Sequence, residues 1–196
     1  MLTAMARGCI FLDRDGVINR DTGYVSRWEN FEFIPGAIGA MKYLSDAGHL
    51  LAIVTNQSGI ARGYYGLEDY QLLTEQMLHS LHAAGIKVLG VYYCPHHPAG
   101  SIQKFSVQCN CRKPAPGMIL SAAIDYSLEL ASSIFVGDKL SDMQAAFAAG
   151  IELRYLVGTS EPIFEVDHPL ITSRHVNLAD WVRSEMRFSA GSSPRP

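Results

Sequence analysis

Two groups of residues in this chain have types and spacings that suit chemistry. The first is a set of metal-type donors, Cys94-Pro95-His96 and Cys109-Asn110-Cys111. Three thiols and an imidazole form a Cys₃His set, suited to a tetrahedral structural zinc. The pairs are Cys-x-His and Cys-x-Cys, closer than the usual Cys-x-x-Cys, and His97 is a rival to His96. The plain alternative is a cluster of reduced thiols; Cys9, inside an apolar run, reads as core. With Cys94, His96, Cys109 and Cys111 filling all four positions, no site is left for water, so the zinc is structural. It would fix a polar loop that runs directly into Arg112-Lys113. The second group is charged. It comprises Asp13-Arg14-Asp15-Gly16, Thr55-Asn56-Gln57-Ser58-Gly59, Arg112-Lys113-Pro114 and Gly137-Asp138-Lys139-Leu140-Ser141-Asp142. Each segment has its own plain reading: a polar turn, a helix start, an exposed basic pair, a strand-to-helix turn.

Position separates the charged group from a set of turns. Apolar runs occur at Cys9-Ile10-Phe11-Leu12, Leu50-Leu51-Ala52-Ile53-Val54, residues 88–93, Ile134-Phe135-Val136 and, more weakly, residues 153–157. They are continuous, as in strands covered on both faces of a parallel sheet. Helical spacing lies between them. Ile38, Met41 and Leu44 precede Gly48; Tyr70, Leu73, Met77, Leu81 and Ala84 precede Gly85. A third helix follows Pro116 through Tyr126, and a fourth spans residues 142–149 before Gly150. The alternation predicts an α/β fold with right-handed crossovers. Asp13, Thr55, Cys94 and Asp138 each fall at the carboxyl end of a predicted strand, the edge where open α/β sheets bind ligands.

The ordered set Asp-x-Asp-Gly, Thr-Asn, Lys-Pro and Gly-Asp-x-x-x-Asp, across about residues 9–150, resembles the haloacid dehalogenase superfamily of phosphohydrolases. The resemblance implies a three-layer Rossmann-like fold, with a central, mostly parallel sheet flanked by helices. It implies a magnesium-dependent phosphatase in which Asp13 is the nucleophile and forms an aspartyl-phosphate. Asp15 is then the general acid and later the base. Thr55 and Lys113 hold the transferring phosphoryl group. Asp13, Asp138 and the backbone carbonyl of Asp15 hold the magnesium, a cation that prefers oxygen ligands. Asp142 is expected to order the metal's surroundings or Lys113. Many superfamily members insert a cap domain after the first or second motif. Residues 16–34 leave room for a flap only, and residues 56–111 are taken up by a helix, a strand and the zinc loop, so no cap is expected.

Further segments narrow the likeness: Gly23-Tyr24-Val25, Thr-Asn-Gln-Ser-Gly-Ile-Ala-Arg-Gly at 55–63, Tyr-Tyr-Cys-Pro-His-His-Pro at 92–98 and Cys-Arg-Lys-Pro at 111–114. They are similar to the bacterial heptose-bisphosphate phosphatase family. That implies a small sugar bisphosphate substrate that loses its C7 phosphate and keeps C1, within nucleotide-activated heptose synthesis for lipopolysaccharide. The implied substrate contacts are Asp21, Thr22, Gly23, Tyr24, Thr55, Asn56, Gln57, Ser58, Arg112, Lys113 and Lys139. Arg112 and Lys139 are the cations available for a second phosphate. Histidinol-phosphate phosphatases share the zinc loop and form the alternative. A zinc-stabilised binding module without catalysis is a third reading; it would need none of Asp13, Asp15, Lys113 and Asp138.

Composition bounds the rest. The 196 residues are 48% hydrophobic and 18% charged, which excludes wholesale disorder. Net charge is −3, from 16 Lys+Arg against 19 Asp+Glu, so a nucleic-acid binder working by bulk charge is excluded. Four cysteines are too few for a disulfide scaffold. No apolar run reaches the roughly 18 residues of a membrane span, and none near Met1 or Met5 reads as a secretory leader. The expectation is a cytoplasmic monomer with one domain over residues 1–188 and a loose tail over 189–196.

Overall fold

The structure, a computed structural model, describes residues 7–158 and 168–186. The expected tail at 189–196 and the alternative starts Met1 and Met5 lie outside them. Six strands form one sheet: β1 Cys9–Leu12, β2 Leu50–Asn56, β3 Val91–Cys94, β4 Ile134–Gly137, β5 Leu153–Val157 and β6 Ser173–His175. Their order is β3-β2-β1-β4-β5-β6, and every neighbouring pair is parallel. The helices are α1 Ala37–Asp46, α2 Gly59–Arg62, α3 Leu67–Ala83, α4 Gly117–Tyr126, α5 Leu140–Ala148 and α6 Leu178–Trp181.

The unbroken apolar runs follow from this layering. Side chains alternate across a strand, so a strand covered on both faces needs apolar residues at every position. Ile10, Leu12, Leu51 and Ile53 pack into one core with Met41 and Leu44 of α1, Leu73 and Met77 of α3, and Trp181 of α6. Phe11, Ala52, Val54 and Phe135 pack into the other core with Met118 and Ile119 of α4 and Met143 of α5. Phe11 and Phe135 are wholly buried, and truncating either to Ala should cost about 3–5 kcal/mol.

Three differences from expectation stand out. The run at 88–93 becomes a strand only from Val91. Before it, Leu89 N–H donates to Leu51 O at 2.8 Å, and Gly90 O accepts from Ile53 N–H at 3.0 Å, so the run is paired outside the regular ladder. The short helix α2 continues the Thr55 segment. Beyond Gly158, β6 and α6 extend the sheet and cover one core.

The chain departs from β1 to β2 and β3 on one side, then returns to place β4 on the other. The β1/β4 boundary is thus the topological switch point, where a crevice opens at the carboxyl edge. The flap between β1 and α1 is held by bridges from Asn19 to Asp15 and to Phe33. Among the described residues no inserted cap domain covers the crevice.

Candidate active site

Asp13 follows the last residue of β1, and its N–H donates to Val136 O of β4 at 3.0 Å, carrying the ladder one residue further. Thr55 and Asn56 end β2. Asp138 and Lys139 lie between β4 and α5. Asp142 sits in the first turn of α5, where its Oδ2 accepts from the N–H groups of Asp138 and Lys139 at 3.1 and 3.0 Å. That caps the helix and fixes the carboxylate at its positive end.

Lys113 is buried and reaches into the centre of this group. Its Nζ lies 2.8 Å from Asp13 Oδ2 and 2.7 Å from Asp142 Oδ1, and it donates to Val54 O at 3.0 Å. The Asn56 carboxamide holds the lysine backbone: Lys113 N–H donates to Oδ1 at 3.0 Å, and Nδ2 donates to Lys113 O at 3.1 Å. The structure thus couples Asn56 and Asp142 to Lys113.

Three buried carboxylates, Asp13, Asp138 and Asp142, have ligand atoms within 4.8 Å of one another. Two ammoniums, Lys113 at the centre and Lys139 with Nζ 3.6 Å from Asp138 Oδ2, do not balance them. Burial pushes the Asp13 carboxyl well above its ordinary value; Asp142 and Asp138 add to the effect and Lys113 opposes it. Burial, with Asp142 beside it, likewise pushes Asp138 up to about 7. Burial works to lower the Lys113 pKa, but Asp13 and Asp142 outweigh it and hold the ammonium charged. Such a site calls for further positive charge.

Asp15 is gripped from three directions. The buried Arg14 donates through Nε and Nη2 to Oδ1 at 3.1 and 2.9 Å, and through Nη2 to Oδ2 at 2.9 Å. Asn19 Nδ2 donates to Oδ1 at 3.0 Å, and Gln57 Nε2 to Oδ2 at 3.0 Å. Sequence reasoning passed over Arg14, Asn19 and Tyr65; the place of Arg14 between two aspartates at a strand end was the one available signal.

The cleft above these groups has a volume of about 510 Å³. Asp13, Asp15, Asp21, Gly23, Tyr24, Thr55, Asn56, Gln57, Ser58, Arg112, Lys113 and Lys139 all line it. Thr22 is exposed and lies outside the lining. Asp21 Oδ2 and Lys139 Nζ meet at 2.9 Å across the rim, joining the flap to the start of α5. Arg112 Nη1 is buried without a hydrogen-bond partner among the described residues.

The second cluster lies at the end of β3. Cys94 Sγ is 3.5 Å from Cys109 Sγ and 3.1 Å from Cys111 Sγ; Cys109 and Cys111 are 3.3 Å apart. His96 Nδ1 lies 3.6 Å from Cys94 Sγ and 3.3 Å from Cys111 Sγ. His97 faces away, with Nε2 2.9 Å from Arg62 Nη2 and Nδ1 accepting from Ala99 N–H at 3.1 Å. The loop also supports α2: Ser101 and Ile102 donate N–H groups to Ala61 O at 2.8 and 2.9 Å.

A family model for HAD-hydrolase-like proteins matches residues 110–161. The D-glycero-beta-D-manno-heptose-1,7-bisphosphate 7-phosphatase of Escherichia coli strain K12 is 50% identical over 177 residues, 90% of this chain and 88% of that protein. The chain belongs to this heptose-bisphosphate phosphatase family. The Yersinia pestis enzyme of the same name is 48% identical, with 90% of each chain covered. A solved D,D-heptose 1.7-bisphosphate phosphatase from B. bronchiseptica, complexed with magnesium and phosphate, superposes with a TM-score of 0.81 at 32% identity, covering 92% of this chain and 99% of that one. This family member is accordingly a phosphatase of the haloacid dehalogenase superfamily.

A zinc and a magnesium both fit the residues present. A tetrahedral zinc with Zn–S bonds of about 2.3 Å sets S···S edges near 3.8 Å, slightly wider than the sulfur separations here. Magnesium takes hard oxygen ligands, and the buried carboxylates at the β1/β4 crevice carry the excess negative charge it would neutralise.

Proposed function

We propose that this enzyme hydrolyses the C7 phosphate of D-glycero-β-D-manno-heptose 1,7-bisphosphate and releases heptose 1-phosphate and inorganic phosphate. The observation that carries the reading is the convergence of Asp13, Lys113, Asp138 and Asp142 in one buried cluster under a cleft whose rim holds further cations. The names of its relatives favour this substrate and the β anomer.

In this reading Asp13 attacks the C7 phosphorus, and its new O–P bond forms as the P–O7 bond breaks. Asp15 delivers its proton to O7. Water then attacks the aspartyl-phosphate, its proton passing to Asp15, and phosphate leaves. Magnesium held by Asp13, Asp138 and the Asp15 carbonyl would supply the charge that lets an anionic nucleophile meet an anionic ester. Lys113 and the Thr55 hydroxyl stabilise the phosphoryl oxygens as negative charge shifts among them. Asp142 keeps Lys113 aimed. Arg112 and Lys139 receive the C1 phosphate, Arg112 with a fork suited to paired oxygens. The sugar sits among Asp21, Gly23, Tyr24, Asn56, Gln57 and Ser58, with Thr22 close by. The zinc loop holds Arg112 and Lys113 in place.

Phosphate release from both heptose bisphosphate anomers and from histidinol phosphate, with and without magnesium, tests the reading. The expected order is β anomer, then α anomer, then histidinol phosphate, all dependent on magnesium. Faster turnover of histidinol phosphate would overturn the substrate. Arg112→Ala should raise KM for the bisphosphate and leave monophosphate hydrolysis unchanged. The reading extends to a cytoplasmic monomer with a single domain over residues 1–188, checked by cell fractionation and sedimentation velocity. Among the described residues no helix is long and apolar enough to cross a membrane.

A further inference from the structure

The flap between β1 and α1 is tied to both sides of the crevice. On the α5 side, Asp21 Oδ2 meets Lys139 Nζ at 2.9 Å. Arg14 Nη2 donates to Val25 O at 3.1 Å and pins the flap further along. On the α2 side the tie is a pair of rings. Tyr24 and Tyr64 meet edge to face, with centroids 4.5 Å apart and planes at 70°. Tyr24 lines the cleft, whereas Tyr64 lies outside the lining. Tyr64 is 61% exposed, so burial in a core does not explain its ring.

The backbone at Tyr24 gives this contact its meaning. Gly23 at φ 85° and Tyr24 at φ 54° are successive left-handed residues. Glycine, asparagine or aspartate serve such a turn at low cost, and a bulky side chain there is an outlier. A residue in a sparsely populated conformation persists when its surroundings over-determine it. For Tyr24 those surroundings include the Tyr64 ring. Rings favour the edge-to-face arrangement because the positive edge of one meets the negative face of the other. Tyr64 is itself a fixed post. Its N–H donates to Gly59 O at 2.9 Å, and the hydroxyl of the next residue, Tyr65, donates to Gln57 Oε1 at 2.6 Å. The cysteine-rich loop anchors α2 in turn, with Ser101 Oγ donating to Arg62 O at 2.9 Å and Ser101 N–H to Ala61 O at 2.8 Å.

We propose that Tyr64 is a positioning residue which, through its edge-to-face contact, holds Tyr24 as the wall against which the sugar of the substrate is seated. The inference rests on the sugar-bisphosphate reading above. Tyr64 acts on substrate binding through Tyr24 and takes no part in the phosphorus chemistry. Without the Tyr64 ring, nothing offsets the left-handed backbone of Tyr24. The residue then relaxes toward negative φ, and its ring leaves the wall.

Steady-state kinetics on the heptose 1,7-bisphosphate and on acetyl phosphate, a phosphoryl donor with no sugar to seat, test this. Tyr64→Ala should raise KM for the bisphosphate about fivefold, the equivalent of one aromatic pair. Its kcat should stay within about twofold of wild type, the pattern of lost binding that ground state and transition state share. Both parameters on acetyl phosphate should match wild type. Tyr64→Phe keeps the ring and should restore the KM. Tyr24→Gly removes the partner ring and accepts the left-handed backbone; in that background Tyr64→Ala should add no further rise. Thermal melts check that every variant is folded at the assay temperature. An unchanged KM in Tyr64→Ala, an equal loss on acetyl phosphate, a Tyr64→Phe as impaired as Tyr64→Ala, or the same rise in both backgrounds overturns the inference. A wild-type enzyme that does not turn over the bisphosphate overturns the substrate reading, and this inference with it. Wild-type turnover with a KM indifferent to Tyr64→Ala overturns this inference alone.

Discussion

Gly16 offers a sharp test of how the carboxylate centre is built. It turns the chain just after Asp15 at φ +84°, and a Cβ there would stand 2.2 Å from Asp138 Oδ2. Gly48, after α1, has the same φ of +84° with nothing within 4 Å of its Cβ position. Gly48→Ala therefore measures backbone strain alone, about 1–2 kcal/mol for a left-handed residue. In a chain of this size that lowers Tm by about 2–8 °C. Gly16→Ala carries the same strain and must also drive the Asp138 carboxylate back by about 1 Å to reach ordinary contact. Displacing a buried carboxylate that faces Lys139 Nζ at 3.6 Å adds about 1–3 kcal/mol. With Asp138 as a proposed magnesium ligand, the larger effect falls on the metal. Magnesium demands near-ideal geometry at about 2.0–2.1 Å, so a ligand moved by 1 Å is lost. The magnesium concentration for half-maximal phosphate release should rise more than about tenfold in Gly16→Ala, one ligand's share of affinity, and stay unchanged in Gly48→Ala. The assay is a magnesium titration of phosphate release beside thermal melts of both variants. If the two variants melt together and share a wild-type magnesium requirement, Asp138 does not hold the ion as described.

Other expectations follow from the same site. Asp13→Asn removes the proposed nucleophile but keeps the shape; turnover should vanish while melting stays near wild type, and steady-state phosphate release with calorimetry checks both. Burial raises the Asp138 carboxyl from an ordinary 3.8 to about 7, so the folded form holds this proton longer than the unfolded chain does. Without metal, that proton's stabilisation is full below about pH 4 and is lost as pH rises toward 7. Magnesium competes with the same proton, so the Tm gain on adding magnesium should be larger at pH 8 than at pH 5; an equal gain at both refutes the linkage. Stripping zinc, or Cys109→Ser, should loosen residues 94–111, lower Tm and reduce kcat through Lys113. Unchanged kinetics in a folded, zinc-free sample would break the connection between that loop and the site.

Much of this arrangement was readable in the residues. Five strands announced themselves because burial on both faces demands apolar residues without interruption, as in Ile10-Phe11-Leu12 and Leu51-Ala52-Ile53. β6 gave no such signal. It is a three-residue edge strand, Ser173-Arg174-His175, whose polar side chains face partners such as Glu185. Helix α6 is too short for periodicity to register, and its start rests on one cap, Asn177 Oδ1 accepting from Asp180 N–H at 2.9 Å. The charged residues were legible as a set because they fall at strand ends. Their partners were not. Arg14 looks like a spacer between two aspartates, yet it is 1% exposed and clamps Asp15. Asn56 and Gln57 read as groups for the substrate; their amides also hold Lys113 and engage Asp15, Thr55 and Tyr65, which the residues alone did not reveal. The choice between His96 and His97 needed three dimensions, because adjacent residues differ only in which way the loop turns them.

The groups proposed to react stand at the ends of central strands, while the walls of the cleft come from the flap at Asp21, Gly23 and Tyr24, from Ser58 and Tyr65, and from Arg112 and Pro114. Descendants of this scaffold can therefore exchange one alcohol for another by rewriting surface segments, with the phosphorus chemistry inherited intact. A library randomised only at flap residues 21–24 should yield altered substrate preference far more often than loss of turnover.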